Sequence, residues 1–273
     1  MNSVVDSSDH SGTSANTIDK ALTLLEFFSL NQTRWGLSEL ARAAGYDKAT
    51  TLRLLRALIR HQMIEQHAET RKYQLGTAFL TLARVREASF PLATILQEKM
   101  RWLAEITGET AHAALGGDDF LRTVAVVEPA RATRVHLDPA DKLPFHATAS
   151  GIIFMAFGPA SAYRGLEREI SLPAFTGYTP TCKEVVSGLI ESARESGFAI
   201  ANQTFEDETI GIATPFFDDS GVARGAIAVA SPALRIDTVA KTRIIDALFT
   251  ATRDVTKSLG GSIPGLFTLD PSK

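Results

Sequence analysis

A chain of 273 residues is long for one average domain and suits two, and 45% hydrophobic with 22% charged residues is an ordinary globular composition. No run approaches the roughly 18 apolar residues of a membrane span, no basic-then-apolar leader opens the sequence, and Cys182 is the only cysteine. These features speak against membrane, secreted, disulfide-stapled and thiolate-metal classes and suit a reducing cytoplasm. The net charge of −3 is uneven: residues 16–88 hold 11 Lys and Arg against 7 Asp and Glu, while 89–273 carry −5. A basic segment on an acidic body suggests that one part meets a polyanion.

Residues 1–15, rich in serine with almost nothing to bury, read as a disordered tail. Asn16 or Thr17 can cap a first helix, with Ile18, Ala21, Leu22, Leu25 and Phe28 at helical spacing to about Leu30. After a polar connection, Ser38 is placed as the N-cap of a short helix over 39–44, which Gly45 ends. Asp47 can cap a third helix over 48–61, with Leu52, Leu55 and Ile59 as its apolar face, flanked by Thr51 and Leu58. Its opposite face carries Ala49, Thr50, Arg53, Arg56 and Arg60. Residues 63–66 and 71–75 then read as a hairpin whose outgoing arm is basic through Arg71 and Lys72.

Helix, helix, the short turn Gly45-Tyr46-Asp47, helix and hairpin make a winged helix-turn-helix. Small or polar residues at the start of the third helix suit a major groove, and arginines behind them suit phosphate. The alternative is a plain three-helix bundle with solvated arginines. Turn length, helix face and wing together favour the DNA reader, residues 16–76.

Residues 77–90 continue as a linker helix, broken by Pro91, which is either a dimer contact or an ordinary packed helix. From Leu92 the pattern changes. A helix over 92–107 precedes strand-like runs at 110–115, 121–127 and 133–137, with Gly116–Asp119 as a hairpin turn. An apolar helix is expected over 146–157 and a polar one over 183–196, then strands at 198–202, 210–217 and 222–230 and a last helix over 238–259. Hairpin-paired strands with helices at the ends read as α+β, an antiparallel sheet with helices on its faces. This body spans 91–260, and 261–273 reads as a loose tail.

The segment LSELARAAGYDKATTLRLLRAL (37–58) with RKYQLG (71–76) resembles the DNA-binding half of the IclR family of bacterial transcription regulators. LPFHATASG (143–151), FAIANQTFEDE (198–208) and IATPFFDDSGVARGAIAVASP (212–232) resemble its C-terminal effector domain. The resemblance spans about 16–260. It implies a GAF-like effector domain, a double-stranded DNA operator of pseudo-palindromic form, a small-molecule effector, and a homodimer or homotetramer. It implies no cofactor, no metal and no enzymatic activity.

Residue by residue, the family's Lys-Ser-Thr run at the recognition helix reads Lys48-Ala49-Thr50 here, and the following Arg is Arg53. Ser38, Arg56, Arg71 and Lys72 complete the expected DNA-binding set. In the effector half the loop positions fall on Ala149 and Ser150. Where oxo-acid-binding relatives place an Asp, a Cys and two Ser, this chain has Ala201, Gly211, Ala228 and Ala230. Phe145, Thr148 and Ile212 complete the expected effector set. A buried carboxylate needs several donors to offset desolvation, and those side chains are gone. A larger, partly apolar effector such as an aromatic acid is therefore expected, its polar end near Ala149-Ser150.

Catalytic motifs are missing: no G-x-S-x-G, P-loop, G-x-G-x-x-G or H-E-x-x-H occurs. His146 lies four residues before Ser150, a possible base and nucleophile, but no carboxylate is placed to orient the ring. Asp118-Asp119 reads as turn solvation, and Glu206-Asp207-Glu208 lacks the spacing of a known cation site. The competing function is a metabolite-binding module or enzyme whose N-terminal segment only dimerises.

Overall fold

The computed structural model describes residues 11–29, 31–89, 91–162, 172–265 and 267. By internal packing the chain divides into two compact units, 1–90 and 91–273. No helix among the described residues is long and apolar enough to cross a membrane.

The first unit contains α1 (Ser11–Leu25), α2 (Leu37–Ala43), α3 (Lys48–Arg60), the strands β1 (Ile64–Gln66) and β2 (Tyr73–Leu75), and α4 (Ala78–Ser89). Asp47 caps α3, its side chain accepting the Thr50 N–H at 2.8 Å. Gly45 holds φ +70° in the turn before it, a conformation glycine adopts without Cβ strain. Leu24, Leu40, Leu54, Leu55, Leu58 and Ile64 form the core of this unit together with Phe28 and Tyr73.

Several expectations need correcting here. α1 begins at Ser11, inside the stretch read as a disordered tail, and stops at Leu25; residues 1–10 and Leu30 lie outside the described residues. The N-cap of α2 is Gly36 rather than Ser38, because the Glu39 carboxylate reaches back to accept the Gly36 N–H at 2.9 Å. The buried face of α3 is Thr51, Leu54, Leu55 and Leu58, while Ile59 is exposed. Trp35 pairs with Tyr73 as a bridge outside the hairpin, and its indole N–H donates to Phe27 O at 2.9 Å. That pairing adds a third, single-residue strand to the wing.

The second unit opens with α5 (Leu92–Thr107) and builds one antiparallel sheet. Its strands are β3 (Thr110–Gly116), β4 (Phe120–Val127), β5 (Lys142–Pro144), β6 (Ala199–Asn202), β7 (Thr209–Phe217) and β8 (Ala223–Pro232). They lie in the order β5-β4-β3-β8-β7-β6. Its further helices include α6 (Ala149–Phe157), α7 (Lys183–Ser196) and α8 (Thr238–Ser258) among the described residues.

Successive strand residues face opposite sides of a sheet. His112 pairs with Ala228, and Ser150 of α6 is against His112, so α6 lies on that side. Thr214 pairs with Ile227, one residue along, and its hydroxyl donates to Leu248 O of α8 at 3.4 Å. Thus α8 covers the other side, packed against α5, while α7 packs on α6. Covered on both faces, the central strands β7 and β8 carry near-continuous apolar runs rather than an alternating pattern.

Residues 133–137, expected as a strand, are not one; they run as irregular chain, with Val135 O accepting the Thr110 hydroxyl at 2.6 Å. The edge beside β4 is taken instead by β5, with Phe120 paired to Pro144. The apolar helix starts at Ala149, three residues later than expected, with Thr148 as its cap. The segment after α8 is not loose: Ser262 N–H donates to Asp218 O at 2.8 Å. Phe267 is buried, its ring centroid 5.1 Å from Phe217 and 5.3 Å from Phe157. Residues 266 and 268–273 lie outside the described residues.

Candidate functional site

Two sites follow from the two units. On the first, Lys48 and Ala49 open α3 as exposed residues, and Arg53 and Arg56 follow on the same exposed side. Thr50 is half-buried, and its hydroxyl donates to the Asp47 carboxylate at 2.7 Å. That proton is committed to the cap, so toward a base edge Thr50 offers only an acceptor and a methyl group. The backbone N–H of Thr50, and next its hydroxyl, hold the Asp47 carboxyl below its ordinary range. Ser38 is exposed in the first turn of α2.

Arg71 and Lys72 are exposed, but in the turn entering β2 rather than on the strand. Arg71 takes φ +57°, and the turn is tied by His67 N–H to Lys72 O at 2.8 Å and by the Gln66 amide to Arg71 O at 2.7 Å. These backbone bonds leave both basic side chains free to project from the wing tip.

The second site is a cavity of about 60 Å³ at the N-terminus of α6. The Thr148 hydroxyl accepts the Gly151 N–H at 3.0 Å and donates to Pro144 O at 2.9 Å, which fixes the helix start. Gly151 is required by close approach, because a Cβ there would lie 2.3 Å from Phe145 O. Thr148, Ala149 and Ser150 line the cavity from the helix side. Ala201, Gly211, Ala228 and Ala230 line it from β6, β7 and β8. A Cβ on Gly211 would lie 3.6 Å from the Ala149 Cβ and 4.0 Å from that of Ala201. Four positions chosen from distant parts of the sequence therefore do converge.

Two expected members do not line it. Ile212 follows Gly211 in β7 and so points to the other face of the sheet, where it is buried. Phe145 packs its ring against Phe154 at 5.6 Å. Nor is the cavity large. Leu137, Leu143 and Phe205 also line it, and 60 Å³ is far below the several hundred Å³ of ordinary ligand pockets.

Sequence reasoning missed the polar lining residues His112, Glu206 and Thr209 and the apolar Leu137, Leu143 and Phe205. His112 sits in mid-strand on β3, and only the pairing with Ala228 brings it to the cavity. Burial lowers its pKa from 6.5 to about 4, so the ring is neutral near pH 7. Its Nε2 is 3.4 Å from Ser150 Oγ, and its Nδ1 is buried without a hydrogen-bond partner. His146, the ring that spacing offered to Ser150, instead turns its Nε2 to Pro173 O at 3.0 Å.

Phe205 and Glu206 are placed by a tied loop. The Thr176 and Thr179 hydroxyls donate to Gln203 O and Thr204 O, each at 2.6 Å, and the Phe175 and Phe205 rings meet edge-on at 5.0 Å. Glu206 is half-buried, and burial first, then Asp141, raises its pKa. Among the described residues no group of three or more His, Cys, Asp or Glu could hold a metal ion.

Comparison with known proteins bears on both units. Residues 17–68 match the IclR helix-turn-helix domain, and residues 87–257 match the family described as bacterial transcriptional regulator IclR C-terminal. The HTH-type transcriptional regulator BhcR of Paracoccus denitrificans is 26% identical over 248 residues, covering 87% of this chain and 85% of that protein. The structure of an IclR transcriptional regulator from Silicibacter sp. TM1040 superposes with a TM-score of 0.83 at 35% identity, covering 92% of this chain and 99% of the other. An IclR homologue from Microbacterium hydrocarbonoxydans, solved in complex with 4-hydroxybenzoate, shares the fold with a TM-score of 0.76 at 21% identity, covering 89% and 98%. With matches across both units and an exposed helix-turn-helix joined in one chain to a sheet domain enclosing a cavity, this chain belongs to the IclR family of bacterial transcriptional regulators.

Proposed function

We propose that the chain reads a pseudo-palindromic operator through residues 16–76, as a dimer or dimer of dimers joined through 77–90, and answers to a small effector held by residues 91–260. The reader contacts are Ser38, Lys48, Ala49, Thr50, Arg53 and Arg56, with Arg71 and Lys72 on backbone phosphate. The effector is small and carries an apolar body, with a polar end at the start of α6. The observation that carries this reading is the cavity itself: thirteen residues from α6, five strands and their loops line it at a helix N-terminus, where backbone N–H groups favour an acceptor.

Binding rather than catalysis fits the side chains. The serine–histidine contact is a long 3.4 Å, and no third group orients the imidazole through Nδ1. By linkage, an effector shifts DNA affinity only as far as its own affinity differs between the free and DNA-bound forms. The protein works in the cytoplasm, where its DNA is.

The test is a gel shift on the intergenic DNA beside its own gene, titrated with small acids beginning with 4-hydroxybenzoate. Specific retardation that a binding compound alters supports the reading. Retardation no stronger than on unrelated DNA at matched salt would favour a metabolite-binding protein whose first unit only dimerises.

A further inference from the structure

The cavity has two polar ends of opposite character, separated by an apolar wall. At the inner end are the His112 imidazole, the Ser150 hydroxyl and the first turn of α6. His112 is neutral and 94% buried. The histidine–serine pair owns two hydrogens, one on the ring and one on the hydroxyl, and their mutual contact can use only one of them. In either tautomer one donor is left over inside a buried site, and an orphaned buried donor is unfavourable. The amides of Ala149 and Ser150, in the first turn, have no intrahelical acceptor by their position. The inner end therefore calls for an acceptor, and the helix terminus favours a negative one.

The outer end is the reverse. Glu206 presents a carboxylate to the cavity, and its charge interacts with Asp141 close by. An ionised carboxylate accepts hydrogen bonds and donates none. The Thr209 hydroxyl donates to it and His136 offsets part of the charge, but among the described lining residues there is no Lys or Arg. Between the ends lie the methyl groups of Ala201, Ala228 and Ala230 with Leu143, which have nothing to offer a polar group.

We infer that the effector is a small zwitterion, an amino acid-like molecule whose carboxylate meets Ser150, His112 and the α6 terminus while its ammonium meets Glu206. This rests on the cavity being the effector site, as proposed above, and narrows its ligand from acids in general to amino acids. A simple carboxylic acid would satisfy the inner end and leave Glu206, half-buried and beside Asp141, with only the Thr209 hydroxyl as a neutral partner. A simple amine would do the opposite.

The experiment is calorimetry on the full-length protein with two matched series. One contains ω-amino acids of two to four carbons, matched to the small cavity; the other contains the same acids without the amine. In the wild type at least one amino acid should bind roughly tenfold or more tighter than its des-amino partner, the scale of one partly buried charge contact. Glu206→Gln should bring that pair to within about twofold, and Asp207→Asn, on the exposed neighbour, should leave the separation intact. Thermal midpoints of the variants report that they fold. Acids that bind as tightly as their amino partners, a separation that survives Glu206→Gln, or no binding by either series would each overturn the zwitterion. Ala228→Leu, which fills the cavity, tests the underlying reading separately: unchanged affinity for whatever binds the wild type would mean that the cavity is not the site.

Discussion

In the first unit the candidate interface is made of side chains that point away from the core, whereas in the second it is the space that the core leaves unfilled. Seven of the eight DNA-facing candidates are exposed, and the eighth, Thr50, is half-buried beside its cap. The cavity is lined by residues from one helix, several strands and their loops, and the strand residues reach it only through sheet register. An outward-facing site tolerates errors of packing. Misplacing Ile59 in the core of α3 did not move Arg53 or Arg56 off the surface. A cavity has no such tolerance, because a one-residue slip in β8 would turn Ala228 and Ala230 to the α8 side and bring Ile227 and Val229 round in their place.

That contrast can be broken by stability measurements. Leu55 is fully buried in the small core of the first unit, so Leu55→Ala should cost about 2–5 kcal/mol. Calorimetry should show the loss in the transition of the first unit, with the second unmoved. An equal shift of both transitions would mean that the two cores do not act separately.

The next effect is on the cavity side. Folding lowers the His112 pKa from 6.5 to about 4, so the unfolded chain takes up this proton first as pH falls. The stability tied to the neutral ring is complete above pH 6.5 and is lost progressively down to about pH 4, roughly 3 kcal/mol in all. His112→Asn should flatten the denaturant-derived stability profile over that window. A slope identical to wild type would show that His112 is not the group responsible.

On the reader the expected effects are smaller and fall on binding rather than stability. Arg53→Ala should weaken operator binding by about 1–3 kcal/mol and leave unfolding within about 0.5 kcal/mol. Equal operator affinity at matched salt would remove Arg53 from the interface. Arg71→Ala or Lys72→Ala should weaken all DNA alike and lower the salt slope by about 1. A changed base preference with an unchanged salt slope would instead make the wing a reader of sequence.

The helix-turn-helix was legible because its signals are local. The Asp47 cap, the Gly45 turn and the 3.6-residue spacing of α3 each sit within a few residues of what they specify. Small errors came where a non-local partner decided. Glu39 reaching back to Gly36 displaced Ser38 from the cap, and Tyr73 drew Trp35 into a bridge. The effector positions on β6, β7 and β8 were legible through their resemblance to a family pattern, which stores register in motif order. Ile212 was misassigned because strand alternation, rather than nearness in sequence, sets the face it occupies.

The sequence by itself determined the two-part organisation, the α+β class and the basic third helix with its wing, and its resemblance to the family pointed to the small residues Ala201, Gly211, Ala228 and Ala230. Composition, spacing and local caps carry the organisation, class and helix-turn-helix, and the family resemblance alone carries the last. Tertiary structure alone decided what else lines the cavity and what chemistry it holds. Leu137, Leu143 and Phe205 join the lining of a cavity of about 60 Å³, and pairing of β3 with β8 set His112 against Ser150. A tied loop brought Glu206 to the opposite end. The reason is physical. A helix face repeats within the chain that forms it, whereas the charge and hydrogen-bond balance of a buried space is set by segments that meet only when the sheet closes.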